Sequence, residues 1–195
     1  VDFTAEVERS LRVLDGAVAV FCGVAGVQAQ SETVWRQANR HRVPRLSFVN
    51  KMDRTGADFK RVVGMIRDRL DMVPLPLQYP ILEETNLLGV LDLVTRKTWM
   101  FTEQADGQTY AEAPTPDDMV ELLEEKRHEL IDALSQFSDE VLELYVGDEE
   151  IPEDVLKRAI RAATLSGEAS PVLLGSALKN KGVQLLLDAI VAYLP

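Results

Sequence analysis

The chain has 195 residues, enough for one large domain or two small ones, and its 46% apolar content is ordinary for a globular protein. Its net charge of −11 argues against broad electrostatic binding to nucleic acid or to an anionic membrane. No apolar run reaches membrane-spanning length, no signal peptide is visible, and the single cysteine, Cys22, excludes an internal disulfide, so we expect a cytoplasmic protein.

The first third of the chain alternates helical and strand patterns. Apolar spacing predicts helices over 3–14, 31–40 and 57–70, and short apolar runs at 17–21 and 46–49 predict buried strands. Helices and strands that alternate through short loops are typical of right-handed parallel crossovers. We therefore expect a parallel α/β sheet with flanking helices.

The alternation stops near Pro74, where three prolines punctuate an extended stretch. Residues 89–94 and 97–101 predict antiparallel strands, and Asp106-Gly107 predicts a hairpin turn. Three helices follow, and sixteen of the 32 Asp and Glu residues lie between positions 112 and 154. This asymmetry indicates a region whose surface differs from that of the rest of the chain.

The strand pattern returns at 171–174, and the last helix has the clearest amphipathic spacing in the chain. Its predicted inward residues are Val183, Leu186, Leu187, Ile190 and Val191. The sequence therefore predicts three parallel strands interrupted by an α+β insert. The predicted parts are residues 1–73, an inserted subdomain at 74–167, and a last strand and helix at 168–195.

The tetrad Asn50-Lys51-Met52-Asp53 follows the second predicted strand, at the edge of a parallel sheet where ligands bind. A fixed carboxylate at Asp53 can accept hydrogen bonds from N1–H and from the exocyclic amine of guanine, whereas adenine lacks both donors. Asn50 can bridge the base and neighbouring loops, and the methylene stem of Lys51 can cover one face of the purine.

A second polar loop, Gly175-Ser176-Ala177-Leu178, follows the last predicted strand. Backbone N–H groups of Ser176 and Ala177 can approach an acceptor such as guanine O6, where adenine presents a donor instead. We expect the two loops to lie side by side and to select guanine together, with Leu178 as a further member of the site.

Long sequence blocks resemble elongation factor G, a bacterial or organellar translational GTPase. They are residues 1–17, 26–38 and 175–184, together with Asn50-Lys51-Met52-Asp53-Arg54. The resemblance implies a partial P-loop-GTPase-like parallel sheet interrupted by an insert, and binding of GTP or GDP. It also implies partners in the ribosome and its stalk protein, and GTP hydrolysis in the intact protein that drives translocation or, in some relatives, ribosome recycling.

The 195 residues contain no Gly-x-x-x-x-Gly-Lys-[Ser/Thr] phosphate loop and no Asp-x-Pro-Gly-His segment. We therefore expect the carboxyl-terminal part of a G domain, catalytically inactive by itself, with no catalytic or metal-ligating residue assigned. Mg²⁺ is expected only in the intact protein.

Two other interpretations remain open. The acidic insert could form an interaction module that docks the ribosomal stalk without binding nucleotide. Alternatively, the chain could be an unrelated α/β enzyme with a coincidental tetrad.

Overall fold

The computed structural model describes residues 4–102 and 109–195. The predicted turn at Asp106-Gly107 and the start of the first predicted helix at Phe3 lie outside these ranges. Within them the helices are α1 Thr4–Leu11, α2 Ala29–Arg40, α3 Phe59–Leu70, α4 Val120–Leu134, α5 Asp139–Val146, α6 Glu153–Ser166 and α7 Val183–Tyr193. The strands are β1 Ala17–Cys22, β2 Arg45–Asn50, β3 Val73–Pro76, β4 Gln78–Glu83, β5 Asn86–Asp92, β6 Thr98–Phe101, β7 Tyr110–Ala113 and β8 Ala169–Leu174.

A four-stranded parallel sheet has the strand order β1-β2-β8-β3. The last strand of the chain therefore lies between strands that precede the insert. Five of the six residues of β2 and all six of β8 are buried, as expected for strands covered on both faces. The carboxyl ends of β1, β2 and β8 consequently meet at one edge of the sheet.

Strand β3 differs from the expectation of three parallel strands. The prolines at 74 and 76 suggested the start of the insert, but Val73–Pro76 pairs in parallel with β8. An edge strand tolerates proline, because one side of its backbone needs no ladder hydrogen bonds. The predicted first boundary, at residue 74, lies inside β3, and the three-part division of the chain remains a proposal.

The insert contains the antiparallel sheet β4-β5-β6-β7 and the helices α4, α5 and α6. Strands β5 and β6 come so close at Gly89 that an added Cβ would lie 2.2 Å from the carbonyl oxygen of Trp99. The predicted mixed α+β insert is thus present. No helix in the described part of the chain is long and apolar enough to cross a bilayer.

Alternating residues of β2 pack into two hydrophobic clusters on opposite faces of the parallel sheet. Leu46 and Phe48 pack in a cluster that includes residues of α4, α6 and β8. Val49 packs in a second cluster, with residues of α2 and α3. The first cluster is continuous with the insert, so β2 and the loop that follows it are supported from both faces.

A buried guanidinium joins the sheet of the insert to its helices. Arg127 on α4 is 3% exposed and donates to the carbonyl oxygens of Leu93 at 2.8 Å, Val94 at 2.6 Å and Ile151 at 3.3 Å. These bonds satisfy three backbone carbonyl oxygens that lie outside the strands and therefore have no hydrogen-bond partner within a sheet.

Candidate functional site

The loops after β2 and β8 lie side by side, as the sequence predicted. The N–H of Met52 donates to the carbonyl oxygen of Gly175 at 3.1 Å, and the N–H of Gly175 donates to that of Val49 at 3.0 Å. A Cβ on Gly175 would lie 2.2 Å from the carbonyl oxygen of Lys181, so only glycine fits at this position. The two loops form one structural unit although they lie far apart in the sequence.

Asn50 bridges the two loops through its side chain. Its Oδ1 accepts hydrogen bonds from the N–H of Lys51 at 2.8 Å and from the N–H of Ala177 at 2.9 Å. Because the amide oxygen has two acceptor positions, both are used within the protein. The Nδ2 end is the part of this side chain that can donate to a ligand.

Asp53 holds a carboxylate that is almost enclosed between the loops. Its side chain is 6% exposed, and its Oδ2 lies 3.3 Å from Nζ of Lys179. Burial raises the pKa of Asp53, but hydrogen bonds from Ser176, from its own backbone and from Lys179 outweigh burial and bring the pKa below its ordinary value. The carboxylate is therefore ionised at neutral pH and presents acceptor oxygens only.

Lys51 and Leu178 are exposed at the rim of these loops. Lys51 has a φ of 62°, an uncommon conformation for a residue other than glycine, and the N–H of Arg54 donates to its carbonyl oxygen at 3.1 Å. In this turn Lys51 is exposed, whereas Met52, the next residue, is buried.

The backbone amides of Ser176 and Ala177, predicted to face guanine O6, both have protein partners. The N–H of Ser176 donates to the carbonyl oxygen of Lys181 at 2.9 Å, and that of Ala177 donates to Asn50. A purine O6 would have to share the Ala177 N–H with Oδ1 of Asn50, or displace Oδ1 from it. The assignment of these residues as guanine ligands remains a prediction.

The sequence analysis missed two residues that support the site. The N–H of Gly23, in the loop after β1, donates to the carbonyl oxygen of Asn50 at 2.7 Å, and an added Cβ would lie 2.9 Å from Sδ of Met52. Lys179, which forms the ion pair with Asp53, is the second. The sequence indicates for Gly23 only that it follows the predicted strand at 17–21, and nothing in the sequence spacing pairs Lys179 with Asp53.

The described residues do not provide a metal site. Nowhere in 4–102 or 109–195 are three or more His, Cys, Asp or Glu side chains grouped so that they could hold a metal ion. A cavity of about 650 Å³ lies between α3 and α4, away from the two loops.

Comparison with known proteins finds similarity to a family model and to solved structures. A family model described as the elongation factor Tu GTP-binding domain matches residues 1–195. A crystal structure of a protein from Thermus thermophilus superposes with a TM-score of 0.87 at 29% sequence identity. The match covers 100% of this chain and 28% of that chain, so the chain spans little more than a quarter of that protein.

Proposed function

Because the chain belongs to the elongation factor Tu GTP-binding domain family, we propose that the loops after β2 and β8 recognise the base of a guanine nucleotide. The observation that supports this proposal most strongly is the nearly enclosed, ionised carboxylate of Asp53, which lies against the loop that contains Ser176. A buried acceptor of this kind favours a ligand with matching donors.

Guanine matches this arrangement because its N1–H and exocyclic amine can both donate to the Asp53 carboxylate. Adenine has an acceptor at N1 and would leave the carboxylate facing a lone pair, which a hydrogen-bonding site rejects strongly. In this proposal Nδ2 of Asn50 donates to the purine and the stem of Lys51 covers one ring face. The backbone amides of Ser176 and Ala177 lie near O6, with Leu178 beside them.

The similarity to elongation factor G is confirmed at the level of an elongation-factor-G-type G domain. We propose further that an intact protein containing this chain hydrolyses GTP on the ribosome, in the cytoplasm, to drive translocation or recycling. Mg²⁺ chemistry would belong to that intact protein, because the 195-residue sequence has no phosphate loop with the hydroxyl that binds this ion.

We expect the 195-residue polypeptide to bind GDP weakly, with a Kd of about 1 mM or weaker, since base contacts alone supply roughly 4 kcal/mol. Its sequence has no phosphate loop, so the phosphate groups of the nucleotide should add little to the binding free energy, and GTP should not be hydrolysed. Isothermal titration with GDP, and with ADP as the control, measures this. Micromolar GDP affinity would contradict the expectation, and equal affinity for ADP would contradict base recognition.

A second candidate function is supported by the acidic helices of the insert. Sixteen Asp and Glu residues lie between positions 112 and 154, and most are exposed on or beside α4, α5 and α6. Such a surface suits a basic protein partner, and the resemblance suggests the ribosomal stalk protein. Capture of stalk protein by a chain that shows no GDP binding would favour this function over base recognition.

A further inference from the structure

We propose that Lys179 is a positioning residue for guanine recognition, whose ammonium group keeps the Asp53 carboxylate ionised and oriented before the base binds. This inference rests on the proposed function, because it assigns Asp53 to the base. It concerns a residue that touches Asp53 and need not touch the nucleotide itself.

The backbone around Lys179 is well fixed. Residues Ala177–Lys179 form a short 3-10 turn after β8, in which the N–H of Lys179 donates to the carbonyl oxygen of Ser176 at 3.2 Å. Asn180 ends the turn in the left-handed conformation, with a φ of 53°. The turn therefore directs the Lys179 side chain across to the neighbouring loop, where Nζ lies 3.3 Å from Oδ2 of Asp53.

Burial raises the pKa of Asp53, and hydrogen bonds from the Ser176 hydroxyl, from the backbone of Asp53 itself and from Lys179 lower it; of these three groups only Lys179 carries a charge. Lys51 and Arg54 on its own loop, and Lys181 on the neighbouring loop, are the other charged side chains close by in sequence. Lys181 donates instead to Oδ1 of Asn86 and to the carbonyl oxygen of Leu87. Of the ion pairs found in the described ranges, only that with Lys179 includes Asp53.

The same ion pair allows the Asp53 carboxylate to be charged and oriented before the base binds, without closing the site to the base. The ammonium donates to the carboxylate as the exocyclic amine of guanine would, so the acceptor is satisfied before the ligand arrives. Lys179 is 52% exposed, and a carboxylate has about four acceptor positions, so Lys179 can keep its contact with Oδ2 while the base donates to the remaining positions. The ammonium then stabilises the charged carboxylate both before and after the base binds.

The test compares wild type with Lys179→Met and Lys179→Arg, and uses Lys157→Met, an exposed ion-paired lysine on α6, as the matched control. Carbon-13 NMR follows the Asp53 carboxyl resonance across pH, with Asp53→Asn used to assign it. We expect its titration midpoint to rise in Lys179→Met and to stay near the wild-type value in Lys179→Arg and Lys157→Met. Circular dichroism establishes that each variant is folded.

A parallel titration with guanosine at pH 5 and pH 7.5 measures recognition. Binding by Lys179→Met should weaken about threefold at pH 5 relative to wild type, the size expected for one partly exposed ion pair. An unchanged Asp53 midpoint in Lys179→Met would overturn the inference. If wild type bound no guanosine at either pH, the proposed function would fail, while the NMR midpoints would still decide whether Lys179 sets the charge of Asp53.

Discussion

Replacing Arg127 with Met should lower the free energy of unfolding by about 3 kcal/mol. Methionine retains much of the side-chain volume but donates no hydrogen bond. The carbonyl oxygens of Leu93, Val94 and Ile151 would lose their donor in a buried place. Urea denaturation followed by circular dichroism measures the difference.

Arg158→Met provides the matched control for this prediction. Arg158 is also a helical arginine with acidic partners, Asp154 and Glu140, but it lies on the surface. Exposed ion pairs contribute little, so the control should leave the free energy of unfolding close to that of the wild type. Equal effects of the two substitutions would show that the buried guanidinium does not join the insert as described.

Replacing Asp53 with Asn should change which purine the chain prefers. The asparagine side chain has one donor group and one acceptor oxygen. Its NH₂ group would face the exocyclic amine of guanine, which is also a donor, but it can donate to the carbonyl oxygen that xanthine has at that position. The mismatch costs about 2–3 kcal/mol, enough to weaken a millimolar GDP complex beyond detection. The xanthine nucleotide XDP should instead bind with a Kd of about 1 mM.

Asp58→Asn is the control for base preference. Asp58 lies further along the same loop, where its Oδ1 accepts from the N–H of Arg61 at the start of α3. Asparagine caps a helix about as well as aspartate, so both stability and the preference for GDP should be retained. Competition between GDP and XDP, measured by NMR line shapes, gives the ratio. An unaltered GDP preference in Asp53→Asn would exclude Asp53 from the base contact.

The position of the site could be predicted because two short apolar runs end in polar loops. Residues 46–49 and 171–174 both form buried parallel strands, and parallel neighbours bring their carboxyl ends to one edge of a sheet. The detailed pairing across the loops could not be predicted in the same way. The bonds from Ala177 to Asn50 and from Lys179 to Asp53 depend on strand register and on turn geometry that spacing does not reveal.

The last helix shows another limit of periodicity. The predicted inward face of α7 includes Leu187 and Val191, yet these are 56% and 82% exposed, and the buried residues are Ala189 and Tyr193. The spacing of apolar residues identifies those that share one face of a helix, but only packing against neighbouring elements decides how much of that face is buried. Strand β3 was missed for a related reason, because proline is compatible with an edge strand as well as with a loop.

The most direct measurement of guanine recognition is an NMR titration of the wild-type chain with GDP and, separately, with ADP. We predict that GDP at millimolar concentration shifts the backbone amide signals of residues 50–53 and 176–178 together, with one common midpoint, and that ADP leaves them in place. Shifts confined to one loop, or equal shifts with both nucleotides, would contradict the conclusion that the two loops form a single guanine site.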